Sequence, residues 1–358
     1  MVEPSELGTK EGVMALVLEL QNAAVLPSAS LVKLSGTKGS SPKLVCLDFK
    51  DWINLSQAHY GMSTKHADAL RTLKEAVADG RIVLPISSIN VMEAHAITND
   101  EQRKRLAKVM VDLSSNHALV DHVAIRKREM FDAVVTVYKR GSSTAPRADM
   151  VRWGISNAAG FERVQAVGAP HQLQALLDEV IMHPLSSERA LGEIHSDEAT
   201  KAGYEMDERW CEAVEQVRHD TAHLSVAEQL EFETLYTLRE GHTGEMIRTI
   251  AEGLGVPRER LADWLELASN RIAFIERVPS LFVSFTLRRS RDPNPQQRMK
   301  RNDLRDLLYL SATIPYADYV VTDRAWAHAV ARTGIGQRYG TVVCRDLPAL
   351  LKALDSQP

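Results

Sequence analysis

The stretch from Asn302 to Trp326, NDLRDLLYLSATIPYADYVVTDRAW, constrains this chain more than any other, because it sets acids where a helix and a buried strand begin or end. Asp303 and Asp306 stand at i and i+3 just after a helix-starting Asn302 and share one face of a first turn. Leu304, Leu307, Leu308 and Leu310 give that helix an apolar side fit to lie on a sheet, and the helix stops before Pro315. Tyr319-Val320-Val321-Thr322 then predicts a short buried strand, with Asp323 at its carboxyl end, where open parallel sheets bind their ligands. Carboxylates gathered at one edge repel and raise their own pKa values unless a cation neutralises them, so a divalent metal is the natural completion.

The remainder of the 358 residues is ordinary in composition: 44% hydrophobic, 25% charged, with a formal net charge of -4. That length predicts two domains, or one domain carrying an insertion. The near-neutral balance excludes a protein that coats nucleic acid by bulk electrostatics and leaves room only for a local basic patch. The three cysteines, Cys46, Cys211 and Cys344, form no CxxC pair, which points to reduced thiols in a cytoplasmic protein. The opening MVEPSELGTKEG lacks the features of a secretory signal, and no long apolar run predicts a membrane span.

Taken in order, residues 12–26 have helical spacing and lead through the Gly/Ser-rich SLVKLSGTKGSSP into the first strand signal, Lys43 to Leu47, which delivers Asp48 at its end. Residues 63–78 predict a crossover helix capped by Ser63 or Thr64, with Gly80 just past its end. Residues 81–86 predict the next parallel strand at βαβ spacing, after which Ser87 or Ser88 caps a helix carrying Glu93 and His95. From about 100 to 300 the pattern is almost wholly helical, without a fixed repeat. Strand signals return after 300 and end with Tyr339 to Cys344 and the helix LPALLKAL. The expected division is 1–42 N-terminal helix and linker, 43–100 first part of an α/β parallel-sheet domain, 101–299 a mostly α-helical inserted domain, and 300–358 the second part of the discontinuous α/β domain.

The acids at strand ends and first helical turns are, in order, Asp48, Glu93, Asp303 with Asp306, and Asp323. In that order LVCLD, ISSINVMEAHA, NDLRDLLYLSA and YVVTD resemble the PIN-domain nucleases, and IPYADYVVTDRAW is similar to a subgroup with a VVT-acid run followed by Trp. The resemblance covers about a third of the chain, split between its two ends, and leaves the helical insertion unexplained. It implies a PIN-like fold and a metal-dependent nuclease in which Asp48, Glu93, Asp303, Asp306 and Asp323 hold Mg²⁺ or Mn²⁺ and serve catalysis, with Asp48, Asp306 and Asp323 foremost. It also implies RNA rather than DNA as the nucleic-acid partner, and this preference comes from the resemblance alone, because no residue pattern here reads a 2′-hydroxyl. Many members carry Asn, Ser or Thr two residues after the first Asp; this chain has Lys50, a cation placed to neutralise the acids or touch phosphate.

A basic run precedes the acidic helix: Arg288, Arg289, Arg291, Arg298, Lys300, Arg301 and Arg305. With Lys50, the residues Arg298, Lys300, Arg301 and Arg305 are the substrate-binding candidates, placed to grip a nucleic-acid backbone. The alternative to a nuclease is a non-catalytic PIN-like module that binds nucleic acid or a protein; a homo-oligomer and a cognate inhibitor protein are further partners that the sequence leaves open. His219 and His223 read as surface histidines, since HDTAH lacks the glutamate of HExxH. His95 and the tryptophans read as structural, Asp318 as a turn residue, and the helical hairpin at Ile250 to Leu265 as packing rather than DNA reading. Asp48 and Asp51 do not have the Asp-x-Asp spacing of a haloacid-dehalogenase-type phosphatase.

Overall fold

A computed structural model describes residues 38–39, 42–139, 147–160, 181–193, 196–239, 241–291 and 298–356. The helix expected at 12–26 lies outside these residues. Among them, no helix is long and apolar enough to cross a membrane.

The chain is α/β, with a small parallel sheet and many helices. The sheet has the order β2 (Ile82–Val83), β1 (Lys43–Cys46), β5 (Tyr319–Val321) and β6 (Val342–Cys344), every pair parallel. Val45 faces Tyr319 and Cys46 faces Val320 in register, so strands from the two ends of the chain lie side by side at its centre. Alternation along the strands divides the core. Val45, Leu47, Tyr319 and Val321 point into one apolar cluster, while Leu44, Cys46 and Val320 point into another on the opposite face. Helix α1 (Phe49–His59), which follows β1, buries Trp52 and Leu55 in the first cluster together with α2 (Ala67–Ala78). Helices α13 (Arg301–Thr313) and α14 (Arg324–Thr333), flanking β5, bury Leu307, Leu310, Trp326 and Val330 in the second. Neighbouring strands β1 and β5 thus send their following helices to opposite faces, which opens a crevice at their carboxyl ends.

Helix α2 starts after His66 rather than at Ser63 or Thr64, and Gly80 follows its end at φ 65. Ser87 caps α3 (Ser88–His95) by a reciprocal box with Asn90, as the sequence predicts for one of its two serines. The stretch 100–300 departs from an all-helical reading. After α4 (Asp100–Ser114) the chain turns through Ser115 and Asn116 at left-handed φ, then forms β3 (His117–Leu119), which pairs antiparallel with β4 (Val151–Trp153). A bridge between Ile86 and Ala118 ties this ribbon to the main sheet. The run HAL is too short for its period to be read from sequence, yet all of it is buried, and burial decides its pairing.

Between the ribbon strands lies α5 (His122–Lys139), and after them come α6 (Pro184–Gly192), α7 (Asp197–Thr221), α8 (Val226–Arg239), α9 (Gly241–Gly253), α10 (Arg258–Glu266), α11 (Ala268–Arg277) and α12 (Pro279–Arg291). Helices α5 and α8 to α12 share a third apolar cluster that includes Met130, Ile247, Leu261 and Phe274. Helix α12 joins layers, giving Leu281 and Phe285 to the helical cluster and Val283 and Leu287 to the sheet. The short α15 (Ile335–Tyr339) leads into β6, and α16 (Leu347–Asp355) closes the chain against α2.

Asp318, read from sequence as a turn residue, is buried and paired with Arg147, and it accepts hydrogen bonds from the backbone N–H of Gly39 and Leu44. It therefore fixes the start of β5 against β1. All three cysteines are free and buried.

Candidate active site at the carboxyl edge of the sheet

Asp48 follows β1 and is the N-terminal flanking residue of α1, with its carboxyl group half-buried. Glu93 lies on α3, which is held to the end of β1 by Asn90, whose Nδ2–H donates to the carbonyl oxygen of Leu47 at 3.4 Å. Asp306 lies on α13, and Asp323 caps α14, accepting from the Trp326 backbone N–H at 2.8 Å. These carboxyl groups come from four elements, and the fold brings them into electrostatic range of one another at the crevice.

The proton affinities of Asp306, Glu93 and Asp48 record this. Burial, then the charges of Asp48 and Asp323, push Asp306 up to about 7, although the Trp326 indole N–H works against the shift. Burial, followed by Asp48, pushes Glu93 up to about 8, while Arg305 opposes and Asp306 adds to it. Asp48 itself is raised, first by burial and also by Asp323, against the backbone amides of Phe49 and Lys50 and the Lys50 ammonium.

Two acids that sequence reasoning did not assign extend the group. Asp51 is buried within α1, and burial followed by the charge of Asp48 raises it to about 7. Asp346, which caps α16 beyond β6, adds its own charge to Asp51. The signal for Asp346 was available in Cys344-Arg345-Asp346 at the end of the last predicted strand. Asp51 carried none, since i and i+3 from Asp48 straddle a helix start whose register only the structure fixes.

Asp303 adds its charge to Asp306, but its own carboxylate is held at the start of α13. Its Oδ1 accepts from Arg291 at 2.7 Å and its Oδ2 from the Lys300 backbone N–H at 2.9 Å, so the carboxylate is spent on capping α13 and on an ion pair. The helix begins one residue earlier than Asn302, and that places Asp303 at the capping position.

Much of the basic run is likewise committed. Arg305, expected to grip substrate, is buried and donates from both Nε and Nη2 to Asp207 Oδ2 on α7, at 3.1 and 3.0 Å. Arg301 lies over the Tyr204 ring at 3.8 Å. Arg288 and Arg289 both pair with Glu233, and Arg291 sits 4.8 Å from the centre of the Trp326 ring while pairing with Asp303. Arg298, Lys300 and Lys50 are exposed. His95 hydrogen-bonds the Ala190 carbonyl oxygen at 2.9 Å, in keeping with a structural role.

Trp326 is the positioning residue that sequence reading took only for packing. It is 1% exposed, its backbone N–H holds Asp323 Oδ1, and its indole N–H holds Asp306 Oδ2 at 2.9 Å. Among the described residues, no group of three or more His, Cys, Asp or Glu side chains is set closely enough to hold a metal ion. Comparison with protein-family models, with curated proteins and with solved structures finds no match to this chain.

Proposed function

We propose that the protein is a metal-dependent phosphodiester hydrolase, a nuclease with a PIN-like α/β domain, acting on RNA in preference to DNA. One observation carries the reading: Asp48, Glu93, Asp306 and Asp323, drawn from distant parts of the chain, come together at one edge, where the charge of Asp48 raises the proton affinity of Glu93 and Asp306 and that of Asp323 raises Asp48 and Asp306. A fold tolerates such crowding when a cation offsets it.

The donor set fits Mg²⁺ or Mn²⁺ in kind, since it offers hard carboxylate oxygens and neither thiolate nor imidazole. Asp48, Asp306, Asp323 and Glu93 are the residues that would hold the ion. When bound, such a cation supplies charge stabilisation to the scissile phosphate and acidifies water. The chain's own part is positional. Trp326 orients Asp306 and Asp323, and Asn90 sets the helix that carries Glu93. Glu93, raised to about 8, and Asp306, raised to about 7, hold protons far more readily than free carboxyls, and an opposing charge beside them would lower both. Lys50, exposed and acting on Asp48, and the exposed Lys300 and Arg298 are the cations offered to a phosphate backbone.

A second reading, a non-catalytic module of the same fold, is favoured by Lys50, whose ammonium already offsets part of the charge on Asp48. Incubation of the full chain with end-labelled single-stranded RNA and DNA, in Mn²⁺, Mg²⁺ or chelator, separates the two. The nuclease reading requires cleavage that needs the metal and disappears in Asp306→Asn with the fold intact. Metal-independent binding without cleavage supports the module instead.

A further inference from the structure

Helix α5 turns one face to solvent beside the β3–β4 ribbon. Ala124, Lys127, Arg128 and Phe131 recur on it at three- and four-residue spacing, as one side of a helix requires. With Arg152 of β4 they line a cavity of about 300 Å³, and it shares no residue with the carboxylate crevice. The opposite side of α5 buries Met130, Ala133 and Val134 in the helical core, which fixes the direction of this face.

Three cations, Lys127, Arg128 and Arg152, meet one carboxylate there, Asp149. Lys127 and Arg152 are exposed and have no ion-pair or hydrogen-bond partner among the described residues. Arg128 forms an ion pair with the buried Asp132 at 3.8 Å, so Lys127 and Arg152 are the cations that the cavity leaves unpaired. The contrast with the basic run at α12 and α13 is sharp: Arg288, Arg289, Arg291 and Arg305 are all spent on internal pairs, and Lys127 and Arg152 are not. Phe131 is 42% exposed, an apolar ring kept at the cavity's edge against its hydrophobic preference. Unpaired cations around an open aromatic ring match a planar base joined to a phosphate, since the ring stacks on the base while the cations meet the anion.

We propose that this cavity binds a nucleotide unit, with the base on Phe131 and the phosphate on Lys127 and Arg152. The unit can be a free mononucleotide or one residue of a single strand. The position suits a strand that runs on to the crevice, because Ser88 Oγ, at the start of the helix that carries Glu93, lies 3.0 Å from His122 Nδ1 at the start of α5. The proposal itself does not depend on catalysis in that crevice.

The test uses the full chain in chelator, so that no cleavage intervenes. Binding of a fluorescein-labelled oligouridylate is followed by anisotropy, and AMP and UMP are titrated separately by calorimetry. Lys127→Ala/Arg152→Ala is expected to weaken binding at least tenfold and to flatten the salt dependence of oligonucleotide binding by roughly 1.4, about 0.7 for each lost phosphate contact. Phe131→Ala is expected to weaken binding about tenfold without changing that slope, and Phe131→Tyr to restore it. Binding of AMP or UMP by itself identifies a free nucleotide as the ligand, and binding of the oligonucleotide alone identifies a strand. Affinities within twofold of the parent in both variants overturn the proposal, as does failure to bind any of these probes. An effect of the cations with none from Phe131 also overturns it, since that describes a bare anion site. Melting curves of the variants, all at exposed positions, verify that the fold is kept.

Discussion

The Trp326 indole N–H donates to Asp306 Oδ2 at 2.9 Å, while the backbone N–H of the same residue holds Asp323 Oδ1. One buried residue, through its indole and its backbone amide, therefore sets the relative placement of two carboxylates from different elements.

Trp326→Phe keeps most of the ring volume and removes only the indole donor. A lost supporting bond of this kind costs about 10- to 100-fold in metal affinity or activity, and about 1 to 2 kcal/mol of stability. Because the indole opposes the upward shift of Asp306, its removal moves the acidic limb of the pH–activity profile to higher pH. An unchanged profile with a lowered melting temperature reduces Trp326 to packing.

The crowded acids give the metal-free protein a characteristic pH response. Asp51 and Asp306, at about 7, and Glu93, at about 8, titrate above their unfolded values, so between the two the native state binds more protons. Their contribution destabilises the fold as pH rises from about 4 toward 8. His59, His66 and His117, pushed down first by burial, favour the fold as pH rises, so the readout is a difference between proteins. Urea titrations in chelator at pH 5.5 and 7.5 are expected to show Glu93→Gln/Asp306→Asn losing less stability across the interval than the parent. An equal loss contradicts the assignment.

Asp48 and Asp323 part company on truncation. Asp48 makes no capping bond of the kind that Asp323 makes and meets only the Phe49 and Lys50 amides at the helix start, so the repulsion that Asp48→Ala relieves leaves metal-free stability equal or higher. Asp323 caps α14, so Asp323→Ala costs about 1 kcal/mol even as it relieves charge. In the parent, Mn²⁺ at a hundred times its Kd raises stability by about 2.7 kcal/mol, and both variants lose that gain. Differential scanning fluorimetry with and without Mn²⁺ measures all of these.

Arg305 is a stability residue, contrary to what its place in a basic run suggests. Arg305→Ala strands the buried Asp207 carboxylate and is expected to cost about 3 to 5 kcal/mol. Lys300→Ala and Arg298→Ala, at exposed positions, stay within about 0.5 kcal/mol of the parent and weaken nucleic-acid binding instead. Paired melts and binding titrations distinguish the two kinds of residue.

The sequence made some of this visible and hid the rest for identifiable reasons. A β-branched run closed by an acid is a local signal, so Asp48 and Asp323 were legible, as was Glu93 one turn into a capped helix. That the two ends of the chain build one parallel-sheet domain was legible, but the pairing of β1 with β5 was not, since strand order leaves no local mark. Partners were not legible, because an arginine's sequence neighbours do not say which carboxylate lies across the fold. Arg305 meets Asp207, and Asp303 meets Arg291, through helix packing alone. Trp326 escaped for the same reason: its indole reaches Asp306 on another helix. The β3–β4 ribbon was too short for its period to stand out between helices.

The pairing of β1 with β5 also governs when the crevice can exist. A nascent chain emerging from the ribosome exposes Asp48 early, and the strand that must lie beside β1 follows only after the whole helical region has been made. At ordinary rates of synthesis that interval is on the order of tens of seconds. Until then the acids are scattered along unfinished polypeptide, and any chemistry they perform together is withheld until the strand that ends at Asp323 has been made.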